Sequence, residues 1–213
     1  MNVFVTGGTG YMGRRLIPRL GERGHRVRAL VRPSSTMRLP PGCTPVLGDA
    51  LEARSYSDQI RPAEAFVHLI GVAHPSPAKA EQFHSVDLAS VRAATAAAVT
   101  AGVSHFVYVS VAHPAPMMKA YIAARSEGEE LIRSSGLSAT ILRPWYVLGP
   151  GHRWPVILQP FYWLAERNPG TRESARRLGL VTIAQMLKTL VQAVENPANG
   201  VRIVEVPQIR AAV

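Results

Sequence analysis

The strongest constraint on this chain lies in its first residues, where an apolar run, Asn2-Val3-Phe4-Val5-Thr6, empties into Gly7-Gly8-Thr9-Gly10-Tyr11-Met12-Gly13 and then into a helical pattern from about Tyr11 to Arg23. A backbone that leaves a buried strand and at once enters a helix must turn tightly, and glycine is the residue that tolerates both the turn and a close approach. Gly7, Gly10 and Gly13 occupy the positions of the turn, of the approach and of strand–helix packing. The N-terminus of the helix then offers free N–H groups and a partial positive charge to an anion such as a pyrophosphate. Gly24 ends the helix, and Arg26-Val27-Arg28-Ala29-Leu30-Val31 follows as a second strand stopped by Pro33, which completes a βαβ unit.

The same alternation continues. Short β-branched or aromatic runs at Thr44 to Leu47, Ala65 to Ile70, His105 to Ser110 and Ala139 to Leu142 read as strands. Helical stretches lie near Ser55 to Ile60, from Lys79 to Ala101 and from Ala120 to Ser134. This predicts an α/β fold of Rossmann type, a doubly wound parallel sheet with helices on both faces. After Pro150 an apolar, aromatic stretch (Trp154 to Glu166) gives way to a polar, basic one (Asn168 to Leu180). Thr182 is then placed to cap a helix to about Glu195, and a last strand is expected from Val201 to Val206. At 213 residues the chain has room for one sizeable core, so residues 1–213 are expected to form a single domain, with 151–180 as a small substrate-side insertion and C-terminal appendage.

Composition excludes several classes. Cys43 is the sole cysteine, so no disulfide forms within the chain, and neither a leader-like segment nor a run of about 20 apolar residues is present. A cytoplasmic protein without a membrane span is expected. The formal charge of +10 favours anionic partners, but the arginines are scattered, without a basic run or interleaved aromatics, which speaks against a nucleic-acid surface. The seven histidines show no metal-ligand spacing, so no metal site is expected; His74 and His113 follow strands and read as loop residues.

The Gly-x2-Gly-x2-Gly spacing after Thr6 resembles the extended and atypical short-chain dehydrogenase/reductase superfamily. Further segments carry the likeness through most of the chain: Gly48-Asp49, His68-Leu69-Ile70-Gly71, Val109-Ser110, Tyr121, Ser135-Gly136-Leu137 and Thr140-Ile141-Leu142-Arg143-Pro144. The sequence looks closest to the NAD(P)H-binding atypical members, among them NmrA-like redox sensors and an accessory subunit of respiratory complex I. A bound dinucleotide is therefore expected on Thr6, Gly7, Gly8, Thr9, Gly10, Tyr11, Met12 and Gly13. The resemblance further implies Asp49 and Ala50 at the adenine edge, Leu69, Ile70 and Gly71 along the adenosine ribose and pyrophosphate, and Pro144, Tyr146 and Val147 toward the nicotinamide.

An acid about 20 positions beyond the glycines selects a ribose 2′-hydroxyl, whereas an arginine there accommodates a 2′-phosphate. The second strand ends in Arg32, followed by Pro33, Ser34 and Ser35, and no acid occurs between Glu22 and Asp49. NADP is therefore expected over NAD, gripped by Arg32 and Ser34, with Arg14 or Arg38 as substitutes.

In the family a tyrosine is the acid/base, a lysine four residues later lowers its pKa, and a serine or threonine binds the substrate oxygen. Here those positions hold Tyr121, Arg125 and Ser110. Arginine for lysine is not a conservative exchange at a close-packed site, so the dyad is altered. Two functions remain open. One is a reductase or epimerase-like enzyme for a small carbonyl or sugar-like substrate; the other is a redox sensor or complex-associated subunit that holds NADP(H) without turnover. Trp145, Trp154, Phe161, Tyr162 and Trp163 either wall a substrate cleft or pack the appendage onto the sheet.

Overall fold

The computed structural model describes residues 1–151, 157 and 159–212. Its strands are β1 (Asn2–Thr6), β2 (Arg26–Val31), β3 (Cys43–Leu47), β4 (Ala65–His68), β5 (His105–Val109), β6 (Ala139–Arg143), β7 (Tyr146–Leu148), β8 (Leu180–Thr182) and β9 (Val201–Glu205). Seven of them form one sheet in the order β3-β2-β1-β4-β5-β6-β9, each neighbouring pair parallel. The order reverses between β1 and β4. At such a switch point the loops leaving two neighbouring strands part, and the crevice between them is where ligands of this architecture sit.

The helices are α1 (Gly13–Glu22), α2 (Ala80–Gln82), α3 (Ala89–Ala101), α4 (Lys119–Ser134), α5 (Gln159–Arg167), α6 (Arg172–Arg177), α7 (Ile183–Glu195) and α8 (Val206–Ala211). A π-helical turn, Phe83–Leu88, joins α2 to α3. Strand alternation explains why both faces of the sheet are covered. Val3, Val5, Ala65, Val67 and Val107 point to one face and bury Leu16, Ile17 and Leu20 of α1 with Leu187, Leu190 and Val194 of α7. Phe4, Phe66, Phe106 and Tyr108 point to the other and bury Val91, Ala94 and Ala98 of α3 with Ile132 of α4. Phe66 stacks on Phe106 at 5.1 Å between ring centroids, which makes this second face the aromatic one.

Several boundaries differ from the sequence expectation for local reasons. The stretch Ser55 to Ile60 forms two short 3-10 turns, at Ala53–Ser55 and Ser57–Gln59, rather than a helix. Ser55 Oγ takes its hydrogen bonds from and to Asp49 and Glu52 backbone, an alternative to helix propagation. The last strand stops at Glu205, because Glu205 and Gln208 form a capping box and Pro207 opens a helix, α8. The parallel pair β7–β8 was not anticipated; three-residue strands carry too little periodicity to be read. Thr182 does cap α7, with its hydroxyl accepting from Gln185 N at 3.2 Å and the Gln185 side chain accepting from Thr182 N at 2.8 Å. Of the aromatic stretch from Trp154 to Glu166, residues 154–156 and 158, Trp154 included, lie outside the described residues.

Candidate functional site

The glycine loop leaves β1 at the switch point. Gly7 takes a φ of 76°, the left-handed region that favours glycine, and a Cβ there would meet the Leu69 carbonyl carbon at 2.9 Å. The loop thus rests directly on the segment after β4. Gly10 N donates to Gly7 O at 3.0 Å and closes the turn. A side chain on Gly13 would run into Gly7 O and the Gly8 Cα, so strand and helix meet there without room for a methyl group. Gly8 is buried between Ile17, Leu39 and Ala29. These are the features a backbone cradle for a pyrophosphate requires: a vacated Cβ, a tight turn and a helix N-terminus behind it.

The other residues expected at the cofactor are placed differently. Thr6 is buried and engaged with His68 Nδ1 through its Oγ1 at 2.8 Å, so its hydroxyl faces the sheet interior. Thr9 is half-buried, Met12 packs onto the core beside α1, and the Tyr11 ring lies under the Arg15 guanidinium at 4.2 Å, with its hydroxyl against Gly149. Arg32 stands exposed at the end of β2 and caps the 3-10 turn Pro33–Arg38, which carries the exposed Ser34. Asp49 forms a turn, its Oδ1 accepting from Leu51 N at 3.0 Å, with Ala50 half-buried beside it. Leu69, Ile70 and Gly71 follow β4 beside the glycine loop, and beyond β6 come buried Pro144 and half-buried Tyr146 and Val147, the latter two in β7.

Tyr121 and Arg125 share one face of α4, as a spacing of four dictates, with the guanidinium 5.3 Å from the phenol ring centroid. Arg125 is nevertheless a deeply buried group. Its Nη2 pairs with Asp87 Oδ1 at 2.5 Å, its Nη1 donates to Val109 O at 2.8 Å, and Nη2 also reaches Ile70 O at 3.4 Å. Burial works against its charge, but Tyr121, Tyr108 and Asp87 outweigh burial and hold the guanidinium firmly protonated. Asp87 Oδ2 in turn accepts from Val72 N at 3.0 Å, so one ion pair ties α4, the π turn and the loop after β4 together. A Cβ on Gly71 would strike the Arg125 guanidinium, which is why the family-like Gly71 position is small here.

Ser110 belongs to a second buried knot. Its Oγ donates to Glu129 Oε1 at 2.7 Å, and Arg143 grips the same carboxylate through Nε at 2.9 Å and Nη2 at 2.5 Å, with Arg133 adding a bond at 2.8 Å. Burial pushes the Glu129 carboxyl up, yet the hydrogen bonds from Arg143, Ser110 and Arg133 prevail and hold it below the usual carboxylate range. His113 Nε2 lies 3.5 Å from Glu129 Oε1. Tyr121 and Arg125 are therefore brought together, while the Ser110 hydroxyl turns to Glu129.

His68 and Arg143 enter the sequence reading only within segments of resemblance, with no role in the site, and Asp87 and Glu129 are passed over. One signal was present: Tyr121, Arg125 and Glu129 recur every four residues, a polar stripe on a helix whose other residues at that face, Ala124, Gly128 and Ile132, are core. Among the described residues no group of His, Cys, Asp and Glu is arranged to hold a metal ion, and no helix is long and apolar enough to cross a membrane.

A parallel sheet in this order, with a glycine cradle at its switch point, defines a Rossmann-type fold. A model of an NAD(P)H-binding family matches residues 7–157, and the chain belongs to that family. It is similar to ceramide reductase of Caulobacter vibrioides, at 30% identity over 98% of this chain and 65% of that protein. It is similar also to 4-hydroxy-2-methyl-3-oxo-4-farnesyl-3,4-dihydroquinoline-1-oxide ketoreductase of Stigmatella aurantiaca, at 28% identity over 70% of this chain and 51% of that protein. The chain thus spans between half and two thirds of the length of these relatives. Among solved structures, the Bordetella bronchiseptica enzyme WbmH in complex with NAD+ shares the fold with a TM-score of 0.70 at 22% identity, covering 94% of this chain and 74% of that one. The UDP-glucose 4-epimerase of Thermotoga maritima does so with a TM-score of 0.69 at 19% identity, over 99% and 81%.

Proposed function

We propose that the chain is an NADP(H)-dependent reductase that acts on a carbonyl of a bulky apolar substrate, with Tyr121 as proton donor. The observation that carries the reading is the half-buried Tyr121 ring facing a guanidinium that stays charged, 5.3 Å away at the carboxyl edge of the sheet. The guanidinium over its face holds the phenol ring at that edge, where the reacting carbonyl of this reading lies. NADPH, when bound on the Gly7–Gly13 cradle, supplies the hydride for the carbonyl carbon, and the Tyr121 hydroxyl gives its proton to the oxygen, which leaves an alcohol. Arg32 and Ser34 favour the 2′-phosphate. Residues 1–213 serve as one domain, with 151–180 as its substrate-side insertion. The substrate class rests on relatives named for a ceramide and a farnesylated quinoline oxide, both large and apolar.

A second reading, an NADP(H)-holding protein without turnover, draws on the internal engagement of Ser110 by Glu129 and of Arg125 by Asp87. The two are separated by following the loss of reduced-nicotinamide absorbance with a 3-oxosteroid, an oxidised ceramide and UDP-glucose. The reductase reading expects turnover with the apolar ketones, none with UDP-glucose, and loss of the rate in Tyr121→Phe with NADPH affinity kept. Tight NADPH binding with no turnover on any of them establishes the second reading.

A further inference from the structure

Helix α5 has two unlike faces. Its inner side, with Tyr162, Ala165 and Glu166, is partly buried: Trp145 hydrogen-bonds the Tyr162 hydroxyl, and Arg210 Nη1 pairs with Glu166 Oε1 at 2.8 Å. Its outer side carries Phe161, Trp163 and Leu164, exposed by 69%, 58% and 65%, with Ile157 exposed by 72% just before it. Large apolar side chains exposed together over the outer half of a helix mark an interaction surface.

The rim of that surface is basic. Arg167 lies over the Trp163 ring at 3.4 Å from its centroid, and exposed Arg172 and Arg176 follow on α6, which is joined to α5 through Thr171 Oγ1 and Ala165 O at 2.7 Å. Glu173 is the exposed acid between them, and the chain as a whole carries a formal charge of +10. Nine residues are too few to span a bilayer but suffice to lie in its interface. An apolar strip with an interfacial tryptophan, flanked by arginines whose stems can reach past the apolar layer to phosphates, matches the chemistry of an anionic lipid surface.

From this juxtaposition of an exposed apolar α5 face and an arginine rim, we propose that the protein docks on anionic membrane surfaces through Phe161, Trp163 and Leu164, with Arg167, Arg172 and Arg176 at the headgroups. Docking of this kind is independent of turnover and goes beyond the reductase reading.

The test is flotation of the full chain with vesicles of phosphatidylcholine alone or mixed with phosphatidylglycerol, at low and high salt. Binding is expected to the mixed vesicles, to weaken on salt addition, and to fall by roughly tenfold in Phe161→Ser/Leu164→Ser and again in Arg167→Glu/Arg176→Glu. NADPH titration of the same samples reports that the variants retain their fold. Equal binding of wild type and both variants, or no binding of wild type to either vesicle, overturns the proposal. So does self-association seen by light scattering that disappears in Phe161→Ser/Leu164→Ser without any vesicle binding, since the face then serves a second copy of the chain.

Discussion

The two halves of the candidate site are built on opposite principles. On the β1 side the cradle is made of backbone: Gly7, Gly10 and Gly13 act by the side chains they lack, and Arg32 and Ser34 stand exposed at the rim. On the β5–α4 side the polar groups are nearly all engaged with one another, Arg125 with Asp87 and Ser110 with Glu129, inside the protein. A backbone cradle is ready for a ligand at no cost in broken interactions. A locked side-chain network first serves the fold, and whatever it does for a reaction it does by holding Tyr121 and its neighbours in place.

If the locked half is structural, breaking it should cost stability before it costs nucleotide affinity. Asp87→Ala leaves the Arg125 guanidinium buried and unpaired, and the expected loss is about 3–5 kcal/mol of unfolding free energy in urea titrations. Arg125→Lys keeps the charge but cannot serve Asp87, Val109 O and Ile70 O from one flat fork, and should fall between wild type and Asp87→Ala. Unchanged stability in Asp87→Ala would show that the two halves do not differ in this way.

The open half should behave inversely. Gly13→Val pushes a branched side chain against Gly7 O and the Gly8 Cα, and calorimetric titration is expected to show NADPH affinity reduced by at least about 100-fold, roughly 2.7 kcal/mol. Gly10→Ala should do less, because its Cβ would meet only Gly7 O at 3.1 Å. Equal effects of the two would mean that the loop moves as a unit rather than fails at one contact.

The same contrast explains what could be read from the sequence. Glycine spacing, strand alternation and the Thr182 cap are local signals, and the sheet, both its faces and the cradle follow from them. Val3 and Val5 on one face with Phe4 on the other is a period of two that any reader finds. Asp87 was invisible because a lone acid in a helical segment reads as a solvated face; it is buried only because Arg125, 38 residues on, arrives beside it. Glu129 depends likewise on Ser110, just past β5, and on Arg143 of β6. The short pair β7–β8 and helix α8 were missed for want of length, not of distance.

Acid should expose the buried side of the comparison. Burial, with the Arg125 charge as the second cause, lowers the His68 pKa to about 3, so the folded protein keeps His68 neutral while the unfolded chain takes up a proton below about 6.5. The unfolded state then binds more protons between those two values. The His68 contribution is intact above about pH 6.5 and is lost as pH falls, by about 1.4 kcal/mol per pH unit. Thermal unfolding followed from neutral to mildly acid pH should show this slope in wild type and a shallower one in His68→Asn.

The smallest effect expected is also the most selective one. Arg32 lies at the end of β2, exposed, where a carboxylate would repel a 2′-phosphate and a guanidinium can meet it with two parallel hydrogen bonds. Arg32→Ala should weaken NADPH binding by about tenfold, near 1.4 kcal/mol, and leave NADH binding and the unfolding midpoint where they are. The phosphate contact of an exposed arginine is partly screened by salt, so the difference between the two nucleotides should also shrink as ionic strength rises. If Arg32→Ala changes both nucleotides alike, Arg14 or Arg38 is the residue that reads the phosphate. If wild type binds NADH as tightly as NADPH, the rim of the open half carries no selectivity and the cradle alone sets the affinity.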